Sequence, residues 1–170
     1  MSSPHDFDFF HGAWQVRHRK LTDFLDPDSA WEEFTGTSDC RPLFDGTANL
    51  DEIDMPHLGS KGATLRLFDP ATKLWSLNWA SSRTGTLFPP VFGRFEGDRG
   101  EFTGSDTLPH SRLRSSGGTP IGKDALVRFV WSGVRDTAAR WEQAFSLDDG
   151  RTWLTNWIMD FTRPEGPPAS

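Results

Sequence analysis

A chain of 170 residues is the size of one domain built round one core. Its 24 acidic side chains outnumber 18 Lys and Arg, a net charge of -6 that sets the chain's own field against a phosphate backbone and argues against nucleic acid as a partner. The single cysteine, Cys40, excludes an internal disulfide framework and a Cys-rich zinc site, no apolar run reaches membrane-spanning length, and "MSSPHDFDFF" lacks a basic region followed by an apolar run, so a soluble cytoplasmic protein is expected.

Eight Trp and 14 Phe with no Tyr, beside 16 Gly and 12 Pro, favour half-buried strands joined by tight turns over helices. Period-two runs bounded by Gly, Pro, Asp or Asn recur throughout, about ten in all. In chain order they are "AWQVRHRKL" (13–21), "AWEEFTGTSDC" (30–40), "TANLDEIDM" (47–55), "GATLRLFD" (62–69), "LWSLNWAS" (74–81), "VFGRFEG" (91–97), "GEFTGSDTL" (100–108), "ALVRFVWSGV" (125–134), "AARWEQAFSL" (138–147) and a last run after Asp149-Gly150, where glycine suits a tight hairpin. Consecutive hairpins make an antiparallel up-and-down meander, and such a sheet loses its exposed edges most simply by closing on itself. The expected fold is therefore all-β, one antiparallel up-and-down barrel over residues 1–170 with tails at 1–6 and 164–170. Two connections, 82–90 and 109–124, are long and rich in Gly, Ser and Pro yet carry Leu87, Phe88 and Ile121, and these are candidate lids over a barrel mouth.

In the first run, "FFHGAWQVRHRKL" puts four basic residues together, Arg17 to Lys20. A strand splits them: Trp14, Val16, His18 and Lys20 share one face while Gln15, Arg17 and Arg19 share the other. What reads as a phosphate-binding cluster along the chain becomes two outward charges and two residues in line with a tryptophan.

Gly12-x-Trp14 at the head of this run resembles the Gly-x-Trp signature of lipocalin and calycin barrels. The resemblance implies that the Trp plugs a closed base and that Arg163, after the last run, covers it. "FDFFHGAWQV" also resembles the F-D-F-W-x-G-x-W opening of an uncharacterised bacterial family of lipocalin-like proteins, and "DDGRTWLTNWIMDFTR" is similar to that family's D-G-G-x-T-W ending. Phe10 and Asp149 depart from the pattern, which tends to have Trp and Gly there. The resemblance implies a fold and a cavity, with no activity to carry over.

Alternation selects the inward faces: Leu65 and Leu67; Trp75, Leu77 and Trp79; Val127, Phe129 and Trp131; and Trp141, Gln143, Phe145 and Leu147. The last run has Trp153, Trp157, Met159 and Phe161 on one side and apolar residues on the other, so its inward face, like that of the second run, stays open. Leu154 and Ile158 fall on the opposite side of the last run, where they suit a homodimer seam. A barrel of about ten strands is wider than the eight that side chains just fill, leaving room for a ligand. Trp75, Trp79, Phe129, Trp131, Trp141 and Trp157 are candidate ligand-binding residues, with Gln143 as the group that both donates and accepts toward a ligand's polar end. His18 and Glu52, taken as inward, are a candidate acid–base pair.

Two functions follow from one cavity. The first is binding of a small, flat, largely apolar molecule. The second is a cofactor-independent isomerase, cyclase or lyase using His18 and Glu52, and a solid-cored structural module is a third reading. No phosphate loop, HExxH, GxSxG or calcium loop occurs, and no His follows His110 to serve as an axial haem ligand of the nitrobindin type, so no cofactor or metal is expected. The six- and seven-residue spacings of His5, His11 and His18 are not a strand period, so these three are not expected to form a metal site.

Overall fold

The computed structural model describes residues 2–114 and 120–164. Eleven strands are present among the described residues: β1 (Gly12–Leu21), β2 (Trp31–Leu43), β3 (Ala48–Met55), β4 (Ser60–Asp69), β5 (Leu74–Ser81), β6 (Thr86–Leu87), β7 (Val91–Glu96), β8 (Arg99–Arg114), β9 (Pro120–Arg135), β10 (Ala138–Ser146) and β11 (Leu154–Thr162). All neighbours are antiparallel. The two-residue β6 sits on the end of β5, and the other ten close into a barrel by way of β4–β5, β5–β7 and β1–β11. The seam of first and last strands has Val16 opposite Phe161 and His18 opposite Met159. Closure pairs every long strand on both sides, which is what the meander pattern demands.

The base is shut by the segment before β1. Phe7 and Phe10, around a 3-10 turn at Asp8–Phe10, are fully buried, and Trp75 Nε1 donates to the Ser3 carbonyl. Residues 2–6, expected within a tail, are thus tied down, with Ser2 and Ser3 both donating to Asp6. Trp14 stacks on Phe10 and donates from Nε1 to the Phe10 carbonyl at 2.8 Å. The Arg163 guanidinium lies 3.7 Å from the Trp14 ring and donates to the carbonyls of Phe9, Ala13 and Asp136. Gly12 takes φ +94°, and a Cβ there would stand 3.2 Å from Arg163 Nη1, so glycine is required both for the turn and for the arginine's approach. Arg163→Ala is expected to lower stability by about 2 kcal/mol, seen as a shifted urea midpoint at unchanged slope, and Arg163→Lys to recover only part, because an ammonium cannot fork to three carbonyls.

Several faces differ from the sequence expectation. On β3 and β4 the inward residues are Asn49, Asp51, Ile53 and Met55, then Thr64 and Arg66, while Leu50, Leu65 and Leu67 are half-buried on the outer side. The alternation there was read in the wrong phase because the inward positions of these two strands are mostly polar. Leu147 lies past the end of β10 and is 37% exposed, and Trp153 precedes β11 and lies under the Arg128 guanidinium. The last connection is longer than a two-residue hairpin: Asp149 and Gly150 do take positive φ, but within a loop tied by Asp148 to Ser146 and Thr152. Those bonds hold the Asp148 carboxyl down at about 2.

The segment 109–124 is not a loop where it is described. β8 parts from β7 after Thr103 and β9 parts from β10 at Leu126, so the two continue as a ribbon, paired with each other as far as Arg114 and Pro120. The rest of that expected lid, 115–119, falls outside the described residues.

Candidate functional site

The barrel interior is hollow in two adjoining parts. A lower chamber of about 60 Å³ is walled by Asp51, Thr64, Arg66, Trp131, Trp141 and Met159 among others. An upper chamber of about 380 Å³ opens above it between Lys20, Phe24, Leu58, Phe88, Val127 and Phe145. Leu77, Trp79, Phe129, Gln143 and Trp157 belong to both and form the waist between them.

Strand geometry builds this waist. Trp79 is carried by the inward face of β5, opposite Thr64 on β4, and its ring occupies the space over Gly62: a Cβ on Gly62 would fall 1.7 Å from the indole. Gln143 is placed by a bulge. The pairing of β10 with β11 steps from Gln143↔Trp157 to Ala144↔Thr155, so Asn156 is the extra residue and both Asn156 and Trp157 are buried. Gln143 Nε2 donates to Asn156 Oδ1 at 2.9 Å, and Asn156 in turn donates to the Phe24 carbonyl. These bonds hold the Gln143 amide in place at the waist.

The lower chamber's polar wall is the inward face of β3 and β4, backed by Ser38 of β2. Arg66 and Asp51 form an ion pair with side chains 4% and 5% exposed; Arg66 also donates to Asn49 Oδ1, and Ser38 to Asp51. The guanidinium is packed against the rings of Phe7, Phe10 and Trp131. Arg66 Nε and Trp131 Nε1 are enclosed without an acceptor. At the mouth the chemistry is different. Lys20 Nζ sits 4.6 Å from the Phe24 centroid and 5.8 Å from Trp157, and burial pulls its pKa down. Arg83, anchored to the Leu58 carbonyl, and Asp106 stand nearby on the wall. Segment 82–90 folds back on β5 through Phe88 N–H to the Trp79 carbonyl and contributes Phe88 and Pro89 to the upper chamber.

Of the residues selected from the sequence, Trp79, Phe129, Trp131, Trp141, Gln143 and Trp157 wall the lumen. Trp75 does not: it is wholly buried at the base against Phe7 and Phe68. His18 and Glu52 are on opposite sides of the wall. Glu52 points outward, its side chain 64% exposed and paired with Lys61 at 3.0 Å. His18 is enclosed between Phe34 and Trp157 and lines neither chamber; its Nδ1 accepts from Trp157 Nε1 at 3.2 Å, and burial pulls its pKa down to about 4. The expected acid–base pair is therefore absent, and His18 acts as a bracket for the Trp157 indole. Of the opening basic run, Arg17 pairs with Glu33 outside and Lys20 reaches the mouth. Burial pushes the Cys40 thiol up to about 12, which removes it as a nucleophile. Among the described residues no group of three or more His, Cys, Asp or Glu is placed to hold a metal ion.

Sequence reading missed Asp51, Thr64, Arg66, Lys20, Phe24 and Asn156. Charge pairing gave no cue for the first three, because both phases of β3 and β4 bring acid and base together: Asp51 with Arg66 inside, and Glu52 and Asp54 with Lys61 outside.

No family model matches the chain, and no curated protein matches it. Among solved structures, the S-type phycobiliprotein lyase CPES from Guillardia theta superposes with a TM-score of 0.55 at 9% identity, over 98% of this chain and 95% of that one. The chain has a calycin-like barrel fold. At that identity the likeness is one of architecture, and it extends over nearly the whole of both chains. No described helix of this calycin-like chain is long and apolar enough to cross a membrane.

Proposed function

We propose that the chain binds a small, flat, largely apolar molecule in the upper chamber, between Trp79, Trp157 and Phe129, with Gln143 facing its polar end. The observation that carries this reading is the volume of about 380 Å³ walled mainly by apolar and aromatic side chains. That volume lies within the range of small-molecule pockets, roughly 300–1,000 Å³, and indole faces supply stacking beyond plain burial. Segment 82–90 serves as the lid, since Phe88 and Pro89 would be the first side chains a ligand displaces. The outward Ile158 of β11 is the face for a second copy; Leu154, expected beside it, stands opposite Phe145 beyond the bulge, on the lumen side. The terminal motifs support kinship with the bacterial lipocalin-like family they resemble, and the structural neighbour's name, a lyase, is compatible with the cavity without defining its use. The enzymatic alternative has lost its named acid–base pair.

The test uses Gly62. An added methyl group must drive the Trp79 ring out of its place, at the waist of both chambers. Anilinonaphthalene sulfonate is expected to bind one site with energy transfer from the tryptophans, and Gly62→Ala to weaken it about tenfold, or about 1.4 kcal/mol. Equal affinity in both proteins would reject the lumen as the binding site.

A further inference from the structure

We propose that the lower chamber is a subsite for the neutral hydrogen-bond-accepting end of the ligand, a carbonyl oxygen or ring nitrogen that passes the waist while the flat body stays above. The proposal rests on the ligand-binding reading and adds a chemical class to it. Two N–H donors, Arg66 Nε and Trp131 Nε1, are enclosed without an acceptor, and both belong to residues that wall this chamber. Buried donors are seldom left unpaired, so two in one small chamber mark a place for an acceptor.

Size and charge narrow its nature. A chamber of about 60 Å³ takes a group of a few atoms, not a ring system. It shares Leu77, Trp79, Phe129, Gln143 and Trp157 with the upper chamber, so one molecule that parts these side chains can occupy both. The charge of Arg66 is already matched by Asp51, which lines the same wall. A carboxylate entering here would meet the Asp51 charge in a poorly screened space, whereas a carbonyl takes the free N–H groups without adding charge. Lys20 and Arg83 at the mouth leave any acidic group of the ligand to the opposite end.

Three probes of one shape test this: 2-acetylnaphthalene, 2-isopropylnaphthalene and 2-naphthoate, each competing with bound anilinonaphthalene sulfonate. The readout is the ratio of ketone to hydrocarbon affinity, because Trp131→Phe also loosens packing for every ligand. Trp131→Phe is expected to lower that ratio about fivefold to tenfold, Arg66→Lys to lower it in the same direction, and the ratio of ketone to naphthoate affinity to fall in the same two variants, since the carboxylate stays at the mouth. A ratio unchanged in both variants, as ordered water in the chamber would give, would overturn the subsite while leaving the cavity intact. A fluorophore that none of the three displaces would also overturn it. Failure of the fluorophore itself to bind would remove the ligand-binding reading and this one together.

Discussion

Arg66→Met is expected to destabilise the barrel by about 3–5 kcal/mol, measured by urea unfolding, although the new side chain is apolar and enters an apolar neighbourhood. The reason lies with Asp51. Its carboxylate is held almost wholly out of water by the Arg66 guanidinium, with Ser38 as a distant second donor at 3.4 Å. Without the cation the carboxylate must either remain charged in a poor dielectric or take up a proton, and both are costly. Met also gives up the stacking of the guanidinium on Phe7, Phe10 and Trp131. The double variant Arg66→Met with Asp51→Leu removes both charges, and it is expected to recover most of the loss, leaving Asn49 as the polar remnant. If the double variant were as unstable as the single one, the pair would be holding the shape of β3 and β4 against each other, and the account of an uncompensated charge would fail.

Acid is expected to act on the barrel through His18. Its only resolved influence is burial, which lowers its pKa from 6.5 to about 4. The folded chain resists protonation that the unfolded chain accepts, so the stabilisation is complete above pH 6.5, declines as pH falls below it, and is fully lost near pH 4. At 1.36 kcal/mol per pH unit over that interval, the loss is roughly 3 kcal/mol. Protonation also turns Nδ1 from an acceptor into a donor, which breaks the bond from Trp157 and frees an indole at the waist. His18→Gln keeps an acceptor and does not titrate. The difference in unfolding free energy between wild type and His18→Gln is expected to change across pH 6.5 to 4 and to be flat above it, with the carboxylates common to both proteins cancelling. A difference that stays constant through this window would show that His18 does not control acid sensitivity.

Much of the barrel was legible in the chain because its signals are local. Ten alternating runs were bounded by turn residues, and each corresponds to a strand; the two-residue β6 lay inside a segment read as a loop. The faces of β5, β9 and β10 were readable since Trp, Leu, Val and Phe occupy one parity and polar residues the other. β3 and β4 were not, because their inward parity carries Asn49, Asp51, Thr64 and Arg66, and the outward one carries leucines. Burial there is stabilised by mutual pairing, which hydropathy along one strand does not register. Glu52 was selected for the same reason, one residue from the carboxylate that does face inward. His18 was placed on the correct face, but alternation cannot tell a lumen-facing histidine from one walled in by Phe34 and Trp157. Asn156 was invisible since a bulge changes the parity that sequence reading assumes.

The pairing of β1 with β11 has a kinetic side. Residues some 140 positions apart must find one another before the ring is complete, and the entropy of that search is spent before any of its contacts are made. Local hairpins can assemble early, but the aromatic plug beneath them has no finished socket until the last strand arrives. Until β11 is available the chain is a partly curled sheet with two sticky margins, so slow maturation and exposure to self-association follow from the topology itself.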